Sequence, residues 1–247
     1  LPERLRAYAY AYGATMSRYE PKDYVGRAEG GEIFESPVQA RDARALVDLI
    51  ESQPRGFRVG TVSSCDYLLS PLIAELRRRG IPFHNPYRKD HGGWNPMRGG
   101  VERLLAFLSM REQGATWATV WPWLECVDAE RAGLGRGAKA AVKEIHDDKE
   151  LSAARLTPSE FREVVGIDLP PEDPAWLSER LLASREKLFE FALTVYRARG
   201  IAALVEEPRV IVGTIHSVKG GEAETVIVVP DLSLAAVRER AYGPDGA

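Results

Sequence analysis

Between Gly213 and Val229 the sequence runs GTIHSVKGGEAETVIVV, and this stretch carries the densest set of chemically useful side chains in the chain. A Val/Ile-rich run ends at Thr214 and delivers Thr214, His216, Ser217 and Lys219, followed by Gly220, Gly221 and Glu222. Ligands of open α/β sheets bind beyond the carboxyl ends of the strands, which is where a strand ending at Thr214 would present these groups. Hydroxyls, an imidazole and backbone N–H groups freed by glycines suit phosphate oxygens. The Glu222 carboxylate cannot favour a phosphate, but it accepts hydrogen bonds from a sugar hydroxyl or an arginine. Together they point to a site touching a nucleotide or a nucleic-acid backbone. A polar loop between two core strands could carry the same residues without a ligand, so the flanking segments must decide.

Other chemistry-bearing residues read more plainly. Arg77, Arg78 and Arg79 fall near a helix C-terminus, where the dipole favours cations, and read as a solvated helix end. Trp117, Trp121 and Trp123 could stack on bases, but they fit the core of a helical region better. Cys65 and Cys126 read as buried small hydrophobes. Their separation excludes a disulfide framework or a zinc ribbon and suggests a reducing compartment, hence a cytoplasmic location. The four histidines are scattered, and His146-Asp147-Asp148 sits in a charged helical stretch, so no metal site is expected.

The elements that must position the Thr214–Glu222 cluster can be read from periodicity. Residues 3–16 suggest a helix, and Glu32–Glu35 a short strand after the turn signal Gly30-Gly31. Ser36-Pro37 with Gln39 has capping-box spacing before a helix whose apolar face is Ala43, Leu46, Leu49 and Ile50. A strand over Arg58–Ser63, a helix through Leu72, Ile73 and Leu76 stopped by Gly80, and a strand at Ile81-Pro82-Phe83 follow. This alternation argues for a parallel sheet with helices on its faces.

After Tyr87 the texture changes. The Gly- and Pro-rich stretch from His91 to Gly100 reads as a link, and nearly everything from Val101 to about Leu204 reads as helical. Val101, Leu104, Leu105 and Leu108 form one stripe, and Thr157-Pro158-Ser159-Glu160 a capping box. Leu181, Leu188, Phe191, Ala192 and Val195 mark a long helix ended by Gly200. Strands return at Arg209–Thr214 and Thr225–Val229. The expected fold class is α/β: a parallel sheet built from both ends of the chain, residues 1–96 and 206–247, with a mainly helical subdomain, 97–205, inserted between them.

Bulk composition limits the function classes. With 45% apolar and 28% charged residues the chain is globular in composition. No apolar run approaches the roughly 20 residues of a membrane-spanning helix. The formal net charge is −3, from 33 basic and 36 acidic residues, so any nucleic-acid binding must come from local geometry. The start at Leu1, with neither initiator methionine nor signal-peptide stretch, and the loop-like end YGPDGA suggest a piece of a longer protein.

TIHSVKGGE, Thr214 to Glu222, resembles motif V of superfamily 1 DNA helicases of the UvrD/Rep type. The upstream stretch VGTVSSCDYLLSPLIAELRRRGIPFHNPYR resembles a segment early in the second RecA-like domain of that family, and the order of the two segments agrees. The resemblance covers roughly residues 1–108 and 206–233, and the helical stretch between them resembles the family's insert by position and character. Gly221 and Ala223 stand around Glu222 where many members have a leucine and an aromatic residue.

The resemblance implies an incomplete second RecA-like motor domain of an ATP-dependent helicase moving 3′→5′. It implies that Thr214 and His216, with Ser217 and Lys219, face single-stranded DNA. Gly220, Gly221 and Glu222 would lie near the nucleotide, with Glu222 on its ribose. The cofactors of such a motor are ATP and Mg²⁺, and its partners are single-stranded DNA, single-strand/duplex junctions and a first RecA-like domain. No membrane partner is implied. The chain holds no Gly-Lys dipeptide, hence no Walker A loop, and lacks the acidic pair for Mg²⁺ and the final arginine motif. No catalytic residue is therefore expected within it, and by itself it should not hydrolyse ATP. Asp231, after the apolar strand, imitates a Walker B aspartate, but its order after motif V assigns it a structural or turn-forming role. A non-catalytic relative that keeps the fold as a DNA-binding or scaffolding subunit remains the alternative.

Overall fold

Val- and Ile-rich runs far apart in sequence pair to make the sheet. A computed structural model describes residues 32–39, 41–110 and 114–229, and within them β1 (Val59–Ser63), β2 (Phe83–His84), β3 (Val210–Thr214) and β4 (Thr225–Val229) form one sheet. The order is β2-β3-β1-β4 and every pairing is parallel. Val59 aligns with both Val210 and Thr225, and Ser63 with both Thr214 and Val229. β1 is buried throughout, as a central parallel strand should be. The expected α/β class with a parallel sheet is therefore observed.

The helices beside the sheet form where the periodicity predicts, with shifted ends. Helix α1 (Ala43–Ser52) buries Leu46, Val47 and Ile50. It begins six residues after Pro37, because Asp42 supplies the cap by accepting from the Ala45 N–H at 3.0 Å. Ser36 instead accepts from the Val38 N–H at 3.2 Å, a local turn with no helix behind it. The strand expected at Glu32–Glu35 is irregular backbone: Ile33 and Phe34 are exposed, so little burial would hold a ladder there. The helix expected over residues 3–16 and Asp231 lie outside the described residues.

After β1, a 3₁₀ turn (Asp66–Leu69) leads into α2 (Ser70–Arg78), which ends at Gly80 with φ +60°. A side chain on Gly80 would press on the Thr194 carbonyl at 2.8 Å, so this position needs glycine both for its left-handed backbone and for close approach. The arginine run does not behave as a uniformly solvated helix end. Arg79 is ringed by Glu75 at 2.7 Å, Asp48 at 2.5 Å and Glu51 at 3.1 Å, and Arg77 lies over the Phe191 ring at 5.8 Å. The carboxylates come from α1 as well as α2, which local sequence does not reveal.

Between β2 and β3 the named elements among the described residues are all helices: α3 (Gly100–Leu108), α4 (Trp117–Leu124), α5 (Ala129–Ala132), α6 (Ala138–Asp147), α7 (Lys149–Ala153), α8 (Pro158–Val165), α9 (Pro174–Glu179), α10 (Glu186–Arg199) and α11 (Ala202–Val205). The Thr157/Glu160 capping box opens α8, with the Thr157 N–H donating to Glu160 Oε2 at 2.7 Å. Leu181 lies outside α10, in an isolated bridge to Val127, because α10 starts five residues later. Phe107, Trp123 and Trp176 form an aromatic core, Phe107 edge-on to Trp123 at 5.2 Å and stacked on Trp176 at 5.9 Å. Trp117 is buried in the same region, stacked on Phe161 at 6.3 Å.

Helix α10 ties this region to the sheet. Phe191 packs on Phe83 of β2 at 5.7 Å. Arg199 donates to the Gly80 carbonyl at 2.9 Å and pairs with Glu51 at 2.7 Å. On its other side α10 meets α3 so closely that a Cβ on Gly100 would overlap the Leu188 carbonyl. The described residues from 41 to 229 accordingly belong to one compact unit. Among the described residues no helix is long and apolar enough to cross a membrane.

Candidate functional site

The loop that leaves β3 is shaped by its own backbone and by its neighbours. Ile215 donates its N–H to the Ser63 carbonyl at 3.0 Å, carrying the chain across the carboxyl end of β1. Ser217 and Val218 then donate to the Thr214 carbonyl at 2.9 and 3.2 Å, closing a tight turn. Gly221 returns to the Val218 carbonyl at 2.8 Å, and Gly220 sits between them at φ +85°, a conformation glycine takes without strain. The segment then returns across one face of the sheet, where Glu224 accepts the Arg58 N–H, and enters β4 beside the start of β1, so only the turn from Thr214 to Val218 lies at the carboxyl end.

Within this loop the sequence-predicted residues divide in two. His216, Lys219, Gly220, Gly221 and Glu222 are exposed and Thr214 is half-buried, so all can meet a ligand from solvent. Ser217 is buried, its hydroxyl donating to the Thr214 carbonyl at 2.8 Å and accepting from Asn85 Nδ2 at 3.2 Å. Its N–H also donates to Thr214 Oγ1 at 3.2 Å. Ser217 therefore holds the turn and offers no free hydroxyl at the surface.

Next to the loop, one face of the sheet opens into an apolar cleft of about 130 Å³. Gly60, Ile211 and Val226 are in register with one another and form its floor, with Tyr87, Ile215 and Glu222 around it. Tyr87 leans over Gly221, where an added Cβ would come within 2.5 Å of the phenol oxygen. Glu222 is the carboxylate at the edge of this cleft. Its neighbour Glu224 is committed elsewhere: it accepts the Arg58 N–H at 2.7 Å and pairs with the Arg58 guanidinium at 3.1 Å. Those bonds pull the Glu224 carboxyl down to about 2 and push the Arg58 guanidinium up.

Several neighbours of this loop were not anticipated from sequence. Asn85 and Tyr87 follow β2, and the local pattern there, an Asn-Pro dipeptide at 85–86, marks no more than a turn. The stretch from His91 to Gly100 is more than a link. Trp94 is buried and donates its indole N–H to Asp66 Oδ1 at 2.9 Å, while His91 stacks on Trp94 at 4.0 Å. Asn95 accepts the Asn85 N–H at 3.0 Å and donates to the carbonyls of Arg88 and His91 at 2.9 and 3.1 Å. This loop is thereby fixed against the turn after β1.

Cys126 is buried, as expected, and burial pushes its thiol up; Cys65 is only half-buried, because it stands in the exposed turn after β1. Among the described residues, no cluster of His, Cys, Asp or Glu could hold a metal ion. Comparisons of the chain with protein-family models, with curated proteins and with solved structures return no match.

Proposed function

We propose that this chain is part of the second RecA-like motor domain of an ATP-dependent DNA helicase resembling the UvrD/Rep type, with residues 97–205 as its helical insert. The observation that supports it most is the Thr214–Glu222 segment, TIHSVKGGE, leaving a buried parallel strand at the carboxyl end of the sheet with His216, Lys219 and Glu222 turned to solvent. In this reading Thr214, His216 and Lys219 meet the backbone of single-stranded DNA, and Ser217 sets the turn that carries them. Gly220, Gly221 and Glu222 lie beside the nucleotide, with the Glu222 carboxylate accepting hydrogen bonds from the ribose. ATP and Mg²⁺ would be held mainly by a first RecA-like domain, and closure of the two domains on ATP would grip the DNA. Such coupling requires ATP to bind the closed arrangement more tightly than the open one.

The test has two parts. A labelled dT20 oligonucleotide should bind the chain weakly, with an affinity that falls steeply as salt rises, because phosphate contacts release counterions. Tight binding indifferent to salt would sink the proposed backbone contacts. In a protein joining this chain to its first motor domain, DNA should stimulate ATP hydrolysis, and Glu222→Ala should reduce it sharply. Absence of any hydrolysis there would favour a DNA-binding or scaffolding subunit. The chain alone should not turn over ATP.

A further inference from the structure

We infer that Asn85 is the positioning residue of the Thr214–Ser217 turn, fixing from outside the loop the position from which the Thr214 hydroxyl can donate; the inference rests on reading Thr214 as a nucleic-acid contact.

Asn85 stands just past β2, fully buried, with its amide bonded on both sides. Its Nδ2 donates to the Val212 carbonyl at 3.0 Å and to Ser217 Oγ at 3.2 Å. Its Oδ1 accepts the N–H groups of Tyr87 and Arg88, each at 3.0 Å. An asparagine amide has two donor hydrogens and two acceptor lone pairs, so every position is filled. β2 contributes only Phe83 and His84 to the ladder, and the Asn85 side chain extends that pairing one carbonyl further along β3.

The bonds then propagate in one direction. Because Asn85 donates to Ser217 Oγ, the Ser217 hydrogen must point away, and it reaches the Thr214 carbonyl at 2.8 Å. Thr214 Oγ1 accepts the Ser217 N–H at 3.2 Å, which ties the oxygen to the turn and leaves its own hydrogen to be donated elsewhere. Such a hydroxyl hydrogen at a half-buried strand end is a ready donor to a phosphate oxygen. Gly213 gives an independent sign that this clamp is built in. A Cβ there would overlap both Asn85 Nδ2 and Ser217 Oγ, so any other residue would pry the two apart.

The experiment uses the 247-residue chain, labelled dT20 and amide hydrogen exchange. Asn85→Asp keeps the shape and the acceptor but removes both donors. It should weaken dT20 binding about 3- to 10-fold, the usual worth of one or two net hydrogen bonds. Exchange should accelerate at Ser217 and Val218 and stay unchanged along β1. In a Thr214→Val background Asn85→Asp should cause no further loss of affinity, since a residue acting through Thr214 has nothing left to position. Additive losses would overturn the inference, as would a loosened turn with unchanged affinity. If Asn85→Asp accelerates exchange throughout the sheet, Ser217→Ala, which leaves the Val212 bond intact, must reproduce the local effect or the inference fails. If the wild-type chain does not bind dT20, the nucleic-acid reading fails separately, and exchange confined to the turn in Asn85→Asp still decides whether Asn85 sets it.

Discussion

Phe107→Ala asks whether the helical region between β2 and β3 stands or falls with the sheet. Phe107 is fully buried, and its ring lies edge-on to Trp123 and stacked on Trp176. Truncating a buried phenylalanine costs about 3–5 kcal/mol. Each lost aromatic pair adds about 0.5–1.5 kcal/mol beyond area, although part of that is already in the truncation cost. About 4–5 kcal/mol is a large share of the roughly 5–15 kcal/mol that stabilises a domain. The assay is urea unfolding followed by two probes. Of the five tryptophans, Trp117, Trp121, Trp123 and Trp176 lie in the helical region, so fluorescence reports there. Amide exchange at Val59, Thr61 and Val212 reports on the sheet. Because α10 is bonded to Gly80, Glu51 and Phe83 on one side and packed against α3 on the other, both probes should shift together. A fluorescence transition that moves while β1 and β3 keep their wild-type protection would refute this reasoning and make residues 97–205 an independently folding insert.

Acid should find two vulnerable carboxylates. Glu75 is held at about 2 by Arg78 and then Arg79, and Glu224 at about 2 by Arg58, both below an ordinary value of 4.5. Each therefore contributes stability that is fully present above pH 4.5 and is lost as pH falls from there towards 2. Urea midpoints measured from pH 6 to pH 2 should fall in that window, and less steeply in Glu75→Gln; an identical slope in the variant would remove Glu75 from the account. Two glycines separate backbone strain from crowding. Gly137→Ala, at φ +79° in open space, should cost only the left-handed penalty of about 1–2 kcal/mol. Gly166→Ala, at φ +86° with the Gly135 backbone 2.7 Å from the new Cβ, should cost about 1–3 kcal/mol more for overpacking. Equal losses in chemical denaturation would show that the turn at Gly135 yields freely.

Much of the candidate loop and its flanking strands was legible because their signals are local. A five-residue Val/Ile run, a change to hydroxyls and glycines, and a second such run describe β3, the loop and β4 with no knowledge of anything distant. The Thr157/Glu160 box and the stops at Gly80 and Gly200 were readable for the same reason: their partners lie within one turn. What could not be read depends on partners across the fold. Asn85 reaches Val212, 127 residues away, and Arg79 collects a carboxylate from Asp48, 31 residues before it. The error at Ser36 is of another kind. Two good caps, Ser36 and Asp42, competed for one helix, and the one adjoining the buried stripe of Leu46, Val47 and Ile50 won.

β2 and β3 are neighbours in the sheet, yet residues 85–209 intervene between them. Closing so long an excursion costs little more than closing a short one, since loop-closure entropy grows only logarithmically with length. What it demands is that both ends be fastened. Asn85 fastens the departing end to the Val212 carbonyl. Arg209 fastens the returning end, donating to the Ile50, Pro54, Gln53 and Phe57 carbonyls at 3.1, 3.1, 3.4 and 3.4 Å, where α1 has run out of intrahelical partners. The two fastenings are not equivalent. Arg209 grips the amino end of β3, remote from the Thr214–Ser217 turn, whereas Asn85 grips nearer its carboxyl end, one hydrogen bond from Ser217. A displacement of the helical region transmitted through its departing end therefore reaches the Thr214 turn directly. One transmitted through the returning end must first shift β3 against β1, where backbone pairing along all five residues resists it.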